Sequence, residues 1–68
     1  MITDKVGQRI KTLRNERGLS QEKLALKADI DRTYLAGAEM GKRNLSLKSL
    51  DKIIRALGVS FEEFFQGI

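Results

Sequence analysis

The chain has no cysteine, no histidine, no proline and no tryptophan among its 68 residues. Without cysteine there is neither a disulfide nor a thiolate metal site. Without histidine the commonest metal ligand and the commonest general base are gone. No metal or cofactor is therefore expected, and no nucleophile–base set or phosphate-cradling glycine loop points to an enzyme. No apolar run approaches the roughly 18 residues that a membrane span needs. With no signal-peptide pattern either, the expected location is cytoplasmic. The absence of proline and the scattered β-branched residues favour an all-helical fold. A chain of this length makes one domain, here 1–68, and buries only about 60% of the surface that its unfolded form exposes. Such domains lean on disulfides, metals or a partner chain. The first two are excluded, so good helix packing, oligomerisation or both must serve.

Charge is present but unevenly placed. The formal net charge is +4. Residues 56–68 carry Glu62 and Glu63 and no basic residue, so residues 1–55 hold all 13 basic residues against 7 acidic ones. The excess suits a polyanionic partner on one side of the domain and something else at its tail.

Five helices follow from periodicity and caps. Thr3 is expected to cap a first helix from about Asp4 to Arg17, with Val6, Ile10 and Leu13 as its buried stripe. Lys5, Arg9, Lys11, Arg14 and Arg17 read as its solvated basic positions, and Gly18 as its left-handed end. Ser20 caps a second helix whose inner face is Leu24, Ala25 and Ala28. Asp29 takes a turn position where a left-handed backbone is expected. Asp31 caps a third helix, Arg32 to about Met40, ended by Gly41. Ser46 caps a fourth, Leu47 to Leu57, and Gly58 ends it. Ser60-Phe61-Glu62-Glu63 is a capping box that opens a last short helix. The stretch Ser20–Asn44 organises the rest: two short helices, a tight turn, then the basic loop Lys42-Arg43-Asn44.

From Leu19 to Gly41 the sequence resembles the helix-turn-helix of lambda-repressor/Cro-like (XRE-type) regulators. Gln21, Leu24-Ala25, Ala28, Ile30, Leu35, Glu39 and Gly41 carry the resemblance. The segment Asp31-Arg32-Thr33-Tyr34, with Gly37, Glu39 and Arg43 to Leu50, is similar to the controller proteins of restriction-modification systems. The resemblance implies an all-α, five-helix lambda-repressor-like domain with a central helix-turn-helix. It also implies a homodimeric transcription regulator that binds pseudo-palindromic operators through its third helix. The operator would lie upstream of its own gene and a linked endonuclease gene. The sequence departs from the pattern at Asp29, where the turn is often Gly, and at Ala36, Ala38 and Met40. Ala38 predicts a smaller plug behind the third helix, and Ala36 removes one phosphate or base contact.

The same motif assigns roles. Arg32 is expected to read guanine O6 and N7 from the first turn of the third helix. Thr33 offers a hydroxyl and a methyl to base edges or its hydroxyl to a phosphate, and Tyr34 packs on sugar-phosphate, reads a deformable step or is a half-buried core aromatic. Gln21 is expected to clamp a phosphate at the start of the second helix. Lys42, Arg43, Asn44 and Ser49 are further backbone candidates. The resemblance pairs Glu39 with Arg14 as a scaffold ion pair. Leu47, Leu50, Ile54, Phe64, Phe65 and Ile68 are expected to form an isologous dimer interface. Activation would also require a patch for RNA polymerase, for which Glu22 is the candidate. Two other readings stand beside this one. The first is a phage-type repressor or antitoxin-like regulator with the same chemistry. The second, favoured by Ala36, Ala38 and Met40, is a protein-interaction module that has lost DNA binding.

Overall fold

Short polar side chains start four of the five helices, each at the position expected. In the computed structural model, which describes residues 1–68, the helices are α1 (Ile2–Glu16), α2 (Gln21–Ala28), α3 (Arg32–Glu39), α4 (Leu47–Leu57) and α5 (Phe61–Gln66). The Ser20 hydroxyl accepts from the Lys23 N–H at 3.0 Å, and the Asp31 carboxylate from the Tyr34 N–H at 3.2 Å. Ser46 accepts from the Ser49 N–H at 3.1 Å. Ser60 and Glu63 close a reciprocal capping box, both bonds at 3.1 Å. Each cap contributes about 1 kcal/mol by satisfying an N–H that the helix itself leaves free.

The turn between α2 and α3 is made by a residue other than glycine. Asp29 sits at φ 57°, ψ 49°, the left-handed region that aspartate tolerates better than most side chains. Gly41 follows α3 at φ 75°, and its turn sends the chain back along the helix that it has just left. The Lys42 N–H there donates to the Gly37 carbonyl at 2.9 Å.

The start of α1 differs from the expectation. The helix begins at Ile2, with Met1 as its cap position, and Thr3 lies inside it. The Met1 carbonyl accepts from the Asp4 and Lys5 N–H groups, and the terminal ammonium meets the Asp4 carboxylate at 3.3 Å. These bonds carry the helix two residues further than a Thr3 cap would.

One core joins all five helices, and its fully buried side chains are Ile10, Leu24, Leu35, Ile53, Ile54, Leu57 and Phe64. Leu19 and Ile30 close it over the two turns. The helix-turn-helix is seated by an approach of α1 to α3 that only a glycine permits. Gly7 is buried, and a Cβ there would run into the Ala38 carbonyl oxygen. Helices α1 and α3 thus meet main chain to main chain at the end of α3, where the small Ala38 side chain is itself buried.

Two expectations are corrected by the packing. Arg9 is not one of the solvated positions: its Nε donates to the Phe64 carbonyl and its Nη2 to the Glu63 carbonyl, both at 2.7 Å. It satisfies carbonyls in the final turn of α5 that the helix leaves unpartnered. Leu50, Ile54 and Phe64 are not surface for a partner either, being only 8%, 1% and 0% exposed. Their apolar area is already buried within one chain, so a partner has nothing of theirs to cover.

Candidate nucleic-acid interface

The frame of the site is a buried ion pair. Arg14 of α1 donates to Glu39 of α3 through Nε at 2.7 Å and Nη2 at 3.0 Å. Both side chains are sequestered, at 10% and 2% exposure. The third guanidinium nitrogen donates to the Leu19 carbonyl at 2.8 Å, and the Gln21 amide donates to Glu39 at 3.1 Å. One network therefore ties α1, the turn before α2, the start of α2 and the end of α3. No buried side-chain polar atom in the chain lacks a partner. Such a pair fixes geometry more than it adds net stability, because desolvation offsets much of its attraction.

On this frame the expected base-contact residues stand at the outer end of α3. Arg32 and Thr33 are exposed, and Tyr34 is half-buried. Arg32 makes no ion pair; of the two carboxylates beside it, that of Asp31 is engaged in capping. Its five donors are left free for an acceptor from outside. Arg32 and Gln21 line one open polar cleft together with Arg14, Ser20 and Glu22. The cleft joins the first turn of α2 to the first turn of α3. The Gln21 and Glu22 N–H groups that face outward from α2 have no partner within the helix.

The basic loop returns to the same helix. Arg43 lies over the Tyr34 ring, its guanidinium carbon 5.9 Å from the centroid. Lys42 and Asn44 flank it, both exposed. Ser49 is less available: half-buried in the first turn of α4, its hydroxyl accepts from Ser46 at 3.0 Å. Of the expected dimer residues, Leu47 is 84% exposed, and Phe65 and Ile68 are each 41% exposed. Phe61, which shares the short terminal helix with Phe65, is 47% exposed. Gly7 was not singled out from the sequence, and Arg9 and Gly37 were named there without the contacts they make; the partners of Gly7 and Arg9 are far along the chain.

An exposed arginine and threonine at the tip of a short helix, held across a tight turn from a second helix, define a helix-turn-helix protein. The helix-turn-helix family model matches residues 10–64, and the chain belongs to that family, among the control proteins of restriction-modification systems. It is 46% identical to the control protein C.MunI from a Mycoplasma species over 68 residues, covering 98% of this chain and 92% of that protein. The crystal structure of the restriction-modification controller protein C.Esp1396I superposes with a TM-score of 0.93 at 45% identity, over 97% of this chain and 87% of that one. The same controller is also known as a tetramer in complex with its natural 35-base-pair operator. The immunity repressor of Bacillus phage phi105 is 50% identical over 54 residues, but those span only 38% of its length.

Proposed function

We propose that this chain is a homodimeric controller that regulates transcription by binding a pseudo-palindromic operator with α3 in the major groove. The observation that carries the reading is the free guanidinium of Arg32, presented at the start of α3 on the cleft that it shares with Gln21. Arg32 reads a guanine, and Thr33 and Tyr34 read the neighbouring steps. Gln21, Lys42, Arg43, Asn44 and Ser49 hold phosphates and fix the register. The near full-length match to C.MunI supports the controller role over that of a phage repressor, of which only a minor part is matched. The close approach of α3 to Gly7 of α1, with Ala38 buried, supports a firmly seated α3 over a module that has lost DNA binding.

Dimer formation follows from reach. The longest extent of the domain is 24 Å. Recognition helices in successive major grooves stand about 34 Å apart, so two half-sites require two domains side by side. Of the exposed large apolar side chains, which also include Met1, Ile2, Leu26 and Met40, those offered for that contact are Leu47, Phe65 and Ile68, with Phe61. The acidic tail, Glu62 and Glu63, suits an end that meets protein rather than phosphate. Where bound operator activates a promoter, exposed Glu22 on α2 is the residue offered to RNA polymerase.

The roles are separable by experiment. A duplex is first selected by the wild-type protein from a random-sequence library. Arg32→Ala should lower the preference for that duplex over a scrambled one by about 1–3 kcal/mol, the size of one bidentate guanine contact. Lys42→Ala should weaken binding to both duplexes alike. Fluorescence anisotropy at one fixed salt concentration measures both. Equal loss of preference in the two variants would contradict the assignment.

A further inference from the structure

The loop after α3 does more than carry a positive charge past the helix. The turn at Gly41 reverses the chain, so the Arg43 side chain runs back along α3, across Gly37 and on to Tyr34 one helical turn earlier. The stem lies where a side chain at position 37 would be. A Cβ on Gly37 would stand 2.8 Å from the Arg43 Cγ and 3.3 Å from its Nε. Moving the guanidinium alone does not relieve a clash at Cγ. The arginine must turn about its first side-chain bond, which carries its head away from the ring.

We infer that Gly37 is a specificity-determining position: it is the seat that lets Arg43 lie over the Tyr34 ring, so that the two side chains meet DNA as one preassembled unit. The inference rests on the reading of α3 as the helix that binds DNA. A long arginine side chain free in solution must lose its rotamer freedom when it binds, whereas one already seated loses less. The cation–π contact with the ring also restricts where the guanidinium sits. Gly37 itself is half-buried under the stem and touches no base; it acts through Arg43.

Glycine inside a helix is otherwise a weak choice, because alanine is the better helix former. Gly37→Ala should therefore hold or raise the melting temperature while lowering the preference for the selected duplex over its scrambled counterpart by about tenfold, the scale of one lost base contact, because the Tyr34 ring that reads its step loses the arginine that holds it in place. In an Arg43→Ala background the same substitution should change neither affinity nor preference, since there is no arginine left to unseat. The cycle of wild type, Gly37→Ala, Arg43→Ala and the double variant, measured by anisotropy with thermal melts alongside, tests this. The Arg43→Ala background keeps the result readable if Gly37→Ala melts lower, because a folding defect persists there and a seating defect does not. Full preference retained in Gly37→Ala, tighter binding by it, or equal losses in both backgrounds would overturn the inference. A wild-type protein that selects no duplex at all would instead overturn the proposed function.

Discussion

Glu39→Ala is expected to unfold most of the protein. The carboxylate is 2% exposed and receives three donors, two from Arg14 and one from Gln21. Truncation leaves the Arg14 guanidinium buried with one carbonyl for company, that of Leu19. Removing one partner of a buried pair costs about 3–5 kcal/mol, because the remaining charge has lost both water and its counter-ion. At about 0.05–0.15 kcal/mol per residue, a domain of this length has a stability of the same order. Denaturant titration followed by circular dichroism should find the variant largely unfolded or its midpoint displaced close to zero denaturant. The double variant Arg14→Leu, Glu39→Leu should recover much of the loss, since a buried pair replaced by apolar groups is often neutral. A double variant as unstable as the single one would show that the loss arises elsewhere in α3.

The second large effect separates two adjacent phenylalanines. Phe64 is fully buried, and Phe65 meets it edge-on with ring centroids 5.0 Å apart while staying 41% exposed. Phe64→Ala should cost about 3–5 kcal/mol, the lost transfer of the ring plus the cavity that it leaves in a core of small helices. Phe65→Ala forgoes an aromatic pair worth about 0.5–1.5 kcal/mol beyond its area, so the monomer should survive. Its expected effect is on assembly: sedimentation equilibrium should show dissociation to monomer at concentrations where the wild type is dimeric. Phe65→Ala that sediments as the wild type does would move the dimer contact to another face. The two variants together distinguish what α5 does for its own chain from what it offers to a second.

The parts of the fold that local chemistry dictates were legible in the sequence. Ser20, Asp31, Ser46 and Ser60 cap helices because each side chain reaches only three residues ahead. Asp29 was placed in its left-handed turn for the same local reason. The Arg14–Glu39 pair bridges 25 residues and was legible through the family resemblance rather than from pattern. Arg9 was misplaced on the solvated face because its acceptors are main-chain carbonyls 54 and 55 residues away, which no side-chain pattern encodes. Gly7 was passed over, and Gly37 was quoted for the resemblance without a packing role, for a related reason. A glycine that matters through the volume it leaves empty is invisible until the neighbour occupying that volume is known. The dimer face was drawn too wide at Leu50, Ile54 and Phe64. Periodicity groups apolar positions on one side of a helix but does not say which of them another helix of the same chain will cover.

For the candidate site, the chemistry of the residues was readable and their cooperation was not. Arg32, Thr33 and Tyr34 follow from the helix start that Asp31 fixes. That Gln21 would share a cleft with Arg32, and also bond the buried Glu39, depends on how α2 and α3 cross. That Arg43 would lie back over Tyr34 depends on the hand of the turn at Gly41.

The central claim is that this surface binds DNA by neutralising phosphates while α3 reads bases. Its most direct test is the affinity of the wild-type protein for its selected duplex across a series of salt concentrations. Lys42 and Arg43 on each of two subunits, each neutralising one phosphate, give an expected slope of log K against log salt of about −3.6, with each neutralised phosphate contributing about −0.9. A slope near zero would contradict the account, whatever the affinity at any one salt concentration.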